Sequence, residues 1–265
     1  MTKRVVIVTG GGQGLGAAIV RAFVAQGDCV VIVDQNHEAG QQLENELQSN
    51  GLAQFTAIDI QDDRAIDVGI EKIKRQFGRI DVLVNNACVY EDAGLASTRE
   101  QWHFTLGVNL ISAALMAQKV VPYMAAGSVI VNMGSIGGKI AAAGRLLYPA
   151  SKAAMLHLTK SLAVELAPKG IRTVAVSPAW TWSPALSEMA NKDREQADRV
   201  GAVTHPLGRV GNAEEIADVV CFVASPKASW ITGVDIPVDG GFSVLGPDQG
   251  KGPKHWFACA ENNNE

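Results

Sequence analysis

Residues 4–16 read RVVIVTGGGQGLG. A β-branched apolar run, 4–8, leads into a glycine cluster, 9–16, and a helix-forming stretch, 15–26, follows at once. Glycines there permit a tight turn and let backbone N–H groups approach a phosphate at a helix start. Alone, the cluster fits any tight turn. Between a strand and a helix, it is the opening of a dinucleotide-binding α/β unit.

The same alternation continues along the chain. Further strands are predicted at 29–33, 54–58, 82–84, 128–131, 173–176 and 234–238. Most are β-branched and continuous, as strands buried on both faces of a parallel sheet must be. Pro237 cannot donate a ladder hydrogen bond, which puts the last strand at an edge. Helices are predicted at 15–26, 38–49, 62–77, 98–123, 148–167 and 213–224, with Asn212 as an N-cap. The pattern predicts a doubly wound parallel sheet of about seven strands flanked by helices. One catalytic domain covers 1–245, interrupted by a long loop at about 179–211. A tail, 246–265, ends in five polar residues expected to fray.

Composition narrows the function. The chain has 265 residues, 47% of them hydrophobic, and a net charge of -4. No basic run exists, so no nucleic acid is expected. Apolar runs look too short for a bilayer, and the start lacks a signal-peptide pattern, so a cytoplasmic protein is expected. Cys29, Cys88, Cys221 and Cys259 are scattered, which suits reduced thiols. The five histidines show no ligand spacing, and no metal site is expected.

Asp34 ends the second strand, 18 residues after Gly16. A carboxylate there can accept hydrogen bonds from a ribose and would repel a 2′-phosphate. Residues 10–16 and 35–36 hold no Lys or Arg, so NAD is expected over NADP. Further on, residues 148–152 read YPASK, which puts a phenol and an ammonium on one helical face.

In order and spacing, these motifs resemble the short-chain dehydrogenase/reductase family over residues 4–242. The landmarks are TGGGQGLG (9–16), Asp59, NNA (85–87), Asn109, Ser135, YPASK, Pro178 and DGG (239–241). Ser135 precedes Tyr148 by 13 residues, the usual family interval. The resemblance implies a Rossmann-like fold and an NAD-dependent alcohol dehydrogenase or ketone reductase. Gly10, Gln13, Gly14, Leu15 and Gly16 would form the phosphate turn. Asp34 would hold the ribose, Asp59 and Ile60 the adenine, and Asn86 and Ala87 the inner ribose. Pro178, Thr181 and Ser183 would border the nicotinamide. Tyr148 would be the general acid/base, with Lys152 lowering its pKa and holding the nicotinamide ribose. Ser135 would bind the substrate oxygen, and Asn109 would hold a relay water. The partners implied are an alcohol or ketone and further copies of the chain, as a tetramer or dimer. A cyclic diol or sugar alcohol is the alternative substrate, and a non-catalytic dinucleotide sensor the alternative class.

Two departures stand out. Cys88 replaces the usual glycine of NNAG, and Ala179 that of PG. Trp180 and Trp182 then follow, where they line a substrate site or anchor the loop. Arg145, Arg194 and Arg199 are candidates for a substrate carboxylate or for plain surface charge.

Overall fold

The computed structural model describes residues 3–48, 51–246 and 248–262. The end of the second predicted helix at Ser49 and the last three residues of the polar tail lie outside the described residues. Strands β1 (Val5–Thr9), β2 (Cys29–Asp34), β3 (Ala53–Ala57), β4 (Val82–Asn85), β5 (Val129–Met133), β6 (Arg172–Pro178) and β7 (Asp235–Val238) form one sheet. Its order is β3-β2-β1-β4-β5-β6-β7, and every pairing is parallel. This is a Rossmann-like sheet. β7 lies at the edge, where Pro237 leaves no ladder bond unmade.

The continuous apolar runs have a simple cause. Alternate residues of each strand serve opposite faces, and both faces are covered. On one side Val6, Val8, Ile32, Val131 and Val176 pack with helices α1 (Gly14–Ala25) and α9 (Ala213–Val223), through Phe23, Ile19 and Val220. On the other, Val5, Ile7, Val33, Leu83 and Ile130 meet α3 (Asp63–Phe77) and α5 (Ser112–Val120), through Ile66, Ile70 and Met116. Helix α3 shows its own start and stop signals. The Asp62 carboxylate accepts from Arg64 N and Ala65 N at 2.9 and 3.1 Å, and Gly78 ends the helix at φ 73°. Helix α2 (His37–Glu46) covers the β2–β3 end.

The strands change direction of progression between β1 and β4, so their carboxyl ends open a crevice there. Helix α6 (Leu147–Leu166) packs on β5 and β6. A buried amide chain ties it to the sheet. Asn85 Nδ2 donates to Asn132 Oδ1 at 2.9 Å, and Asn132 Nδ2 donates to Thr159 Oγ1 at 2.9 Å.

Four details differ from the sequence expectation. The 98–123 helix is broken into α4 (Arg99–Leu106), a π-helical turn (Gly107–Ile111) and α5. The whole stretch Arg99–Tyr123 is long and apolar enough to cross a bilayer by length and composition, against the expectation from apolar runs. Here Val108, Met116, Ala117 and Val120 are buried within the fold. The interruption at 179–211 holds two short helices, α7 (Pro184–Met189) and α8 (Arg194–Gly201). The tail contains α10 (Pro253–Asn262), where Trp256 Nε1 donates to Asp248 O at 3.2 Å.

Candidate functional site

The glycine turn joins β1 to α1. Gly10 and Gly14 adopt φ of 61° and 54°, a region that favours glycine. A β-carbon on Gly10 would come within 2.8 Å of Ala87 Cα, so the turn lies directly on the end of β4. A β-carbon on Gly16 would overlap the Gly10 carbonyl. Asn86 Nδ2 donates to Thr9 O and Gly10 O, both at 3.0 Å, and so braces the turn from below. Gln13 is the N-cap of α1 but makes no side-chain cap, and Leu15 packs partly buried on the core. The result is a glycine-lined backbone cradle, which fits a pyrophosphate. Pro184, at the start of α7, faces Gly14 across this opening.

Asp34 closes the far end of the cradle. Its Oδ2 accepts from Gly12 N and its Oδ1 from Asn36 N, each at 2.9 Å. The carboxylate is therefore fixed beside the glycines while half-buried. Asp59 is exposed after β3 and accepts from Gln61 N at 2.9 Å; Ile60 packs partly buried on the core.

Beyond the ends of β5 and β6 lies the second group. Ser135 follows β5, and its Oγ accepts from Gly137 N at 3.0 Å. The space over Gly137 is shared. A β-carbon placed there would be 3.4 Å from Ser135 Oγ and 3.6 Å from Tyr148 Cε1. Lys152 is 3% exposed; its Nζ donates to Met133 O at 2.8 Å and lies 5.6 Å from the Tyr148 ring centre. Arg145 Cζ lies 5.7 Å from the same ring centre. Asn109 sits in the π-helical turn, an irregularity common at functional sites. Its Oδ1 accepts from Val89 N at 2.7 Å, and its Nδ2 donates to Val89 O and Ser151 Oγ at 3.0 and 3.1 Å. The structure thus brings Asn109, Ser135, Tyr148 and Lys152 to one end of the sheet.

Two neighbours carry no motif in the sequence. Tyr90 stacks on Tyr148, ring centres 4.9 Å apart at 27°. Its phenol is pushed up, foremost by Cys88, then by burial and by Tyr148. Asp92 accepts the backbone N–H of Tyr148 at 3.1 Å. Only the placement of both between the NNA motif and α4 hinted at the site.

Pro178 ends β6, and Thr181 bridges to Gly211. Ser183 uses its hydroxyl as the cap of α7, accepting from Leu186 N at 3.3 Å. Trp180 packs against His205 and Phe242, with ring centres 5.6 and 6.3 Å away. Trp182 joins Leu186, Ala190, Ala197 and Val210 in a small separate cluster, under Arg194 at 5.4 Å. Both tryptophans thus anchor the 180–211 segment. Arg194 is tied to Asp198 and Asn212, and Arg199 pairs with Asp193, the N-cap of α8, and with Glu195 on it.

At the base of this segment Arg209 grips Glu215, whose Oε2 also accepts from Asn212 N at 2.7 Å. Arg209 foremost, then the Asn212 N–H, pull the Glu215 carboxyl down from 4.5 to about 2. A lowered folded value means that the stabilisation is complete above the unfolded pKa and is lost as pH falls toward the folded one. Glu215→Gln is expected to cost about 1 kcal/mol at neutral pH, because the half-exposed pair is screened. Urea unfolding of both proteins should show that gap shrinking as pH falls below about 4.5.

Residues 10–243 match the family model described as enoyl-(acyl carrier protein) reductase. The chain is 36% identical over 246 residues to 3-oxoacyl-(acyl-carrier-protein) reductase of Thermotoga maritima, covering 91% of this chain and 98% of that protein. It is 34% identical over 243 residues to L-fucose dehydrogenase of Mus musculus, covering 90% and 88%. A solved blue fluorescent protein from a metagenomic library, in complex with NADPH, superposes with a TM-score of 0.83 at 32% identity, over 91% of this chain and 98% of that one. A backbone cradle at the β1–β4 crevice, joined to matches of this length, makes the chain a member of the short-chain dehydrogenase/reductase family, an oxidoreductase built for a nicotinamide cofactor.

Proposed function

We propose that this chain is an NAD-dependent dehydrogenase acting on a secondary alcohol, or in reverse on its ketone, with Tyr148 as general acid/base. The observation that carries the reading is the space over Gly137, bordered by Ser135 Oγ and the Tyr148 ring, with Lys152 Nζ behind. When bound, the nicotinamide accepts or supplies the hydride. The chain handles the proton and the geometry.

Ser135 Oγ already accepts from Gly137 N, so its own hydrogen is free to donate to a substrate oxygen. Tyr148 takes the proton from that oxygen in oxidation and returns it in reduction. A free phenol, with a pKa of about 10, suits this poorly at neutral pH. Lys152, buried with its Nζ 5.6 Å from the Tyr148 ring centre, is the positive charge placed beside this phenol. Asn109 joins Val89 to Ser151 and so holds α6 in place; it would also hold the water that relays the proton to solvent.

Gly10, Gln13, Gly14, Leu15 and Gly16 would hold the pyrophosphate and Asp34 the adenosine ribose. Asp59 and Ile60 would flank the adenine; Ala87, Pro178 and Thr181 would border the inner half. Asn86 acts by bracing Gly10, and Ser183 by capping α7. The Asp34 charge and the lack of nearby cations at 10–16 and 35–36 support NAD. Titrating the protein with NADH and NADPH, followed by nicotinamide fluorescence, checks this. NADH should bind at least about tenfold tighter, a difference of about 1.4 kcal/mol; tighter NADPH would overturn the preference. The likeness to L-fucose dehydrogenase favours a polyol or sugar as the second reading of the substrate.

A further inference from the structure

Helix α6 carries Tyr148 in its first turn but brings no cap of its own. Its N-cap is Leu146, whose own side chain makes no cap, and its first turn holds no acidic residue. Orphan N–H groups at a helix start need a partner, and an anion there is favoured by the helix dipole. The partner comes from 56 residues earlier. Asp92 Oδ1 accepts from Leu146 N at 3.0 Å and from Gly94 N at 3.0 Å, while Oδ2 accepts from Tyr148 N at 3.1 Å. Burial alone would push this carboxyl up. The N–H groups of Leu146, Gly94, Tyr148 and Leu147 outweigh it and hold Asp92 below the usual carboxylate range.

The segment bearing Asp92 is itself fixed. Asn109 grips both backbone groups of Val89, and Thr105 Oγ1 donates to Glu91 O at 3.3 Å. Between these two anchors the Tyr90 ring lies on the Tyr148 ring. Gly94 (φ 56°) lets the chain pass close to Gly144, where a β-carbon would be 3.2 Å from the Gly144 carbonyl oxygen. Backbone and ring of Tyr148 are thus held from one short stretch of chain.

We propose that Asp92 is a positioning residue for Tyr148, with Tyr90 as its companion: the carboxylate sets the first turn of α6, and the stacked ring sets the phenol. This rests on the reading of Tyr148 as the acid/base. Misplacing a reacting group by about 1 Å can cost about a hundredfold in rate, so Asp92→Ala should slow the proton step without weakening cofactor binding.

The test uses the full chain with NAD and two probes, L-fucose and cyclohexanol. Asp92→Ala should lower kcat by about tenfold to a hundredfold. KM and the NADH Kd should stay within about twofold, and the solvent deuterium isotope effect on kcat should rise. Asp92→Asn, which keeps one acceptor oxygen, should recover part of the loss. A lower melting temperature with unchanged kcat and isotope effect would make Asp92 merely structural and overturn the proposal. If Asp92→Ala does not fold, Tyr90→Ala carries the same test, with wild-type kcat and isotope effect as the contrary result. Near wild-type turnover by Tyr148→Phe would remove the acid/base reading itself, whatever Asp92 does. A wild type that reduces NAD with no secondary alcohol, polyol or sugar contradicts the dehydrogenase reading and takes the proposal with it.

Discussion

Tyr148→Phe is expected to lose about a thousandfold in kcat, within the range that general acid/base catalysis contributes, while NADH binding stays within about twofold. Phenylalanine keeps the ring and so the stack on Tyr90 at 4.9 Å. It also keeps the packing of Lys152 and the space beside Ser135. What it removes is one ionisable hydroxyl. Lys152 cannot replace it, since its ammonium is buried and committed to Met133 O at 2.8 Å. Stopped-flow or steady-state NADH absorbance, paired with NADH titration, separates the two effects. A loss of cofactor binding equal to the loss of turnover would mean that Tyr148 shapes the cofactor site instead.

Gly16→Ala should have the second largest effect, and on a different quantity. The added β-carbon would overlap the Gly10 carbonyl oxygen and crowd Asn86 Nδ2 at 2.7 Å. Both neighbours are held: Gly10 O accepts from Asn86, and Gly10 itself rests on Ala87. Backbone must therefore move, and overpacking of this kind costs about 1–3 kcal/mol of stability. The larger consequence is for the cradle, because the N–H groups aimed at the pyrophosphate lose their arrangement. Affinity for NADH should fall by about a hundredfold or more, on the order of 3 kcal/mol. Fluorescence titration measures the affinity and thermal unfolding the stability. Unchanged affinity would show that the cradle is not where the cofactor phosphates rest.

The parts of this fold that were legible in the sequence are those whose signal is local. β-Branched runs such as 5–9 and 29–34 mark strands covered on both faces, and Tyr148 and Lys152 share a helix face by spacing alone. Asp92 and Tyr90 were not legible. Their partners lie more than 50 residues away in the chain, and an isolated YED has no periodicity to betray it. The π turn at Gly107–Ile111 is invisible for a related reason, since one extra residue in a helix leaves the apolar pattern on both sides intact. Helices α7 and α8 were hidden inside an apparent loop. They are short, and Trp182, Leu186, Ala190 and Ala197 form a small cluster with Val210 apart from the main core. Asn86 and Ser183 show another limit. Their placement beside the crevice was readable, but their polar atoms brace Gly10 and cap α7.

The most direct measurement is the alcohol-dependent reduction of NAD by the full chain, followed by NADH absorbance over a panel of secondary alcohols, polyols and sugars. Turnover with NAD should exceed that with NADP on at least one of them, and should fall about a thousandfold in Tyr148→Phe. Near wild-type turnover by Tyr148→Phe, or turnover that proceeds only with NADP, would contradict the assignment.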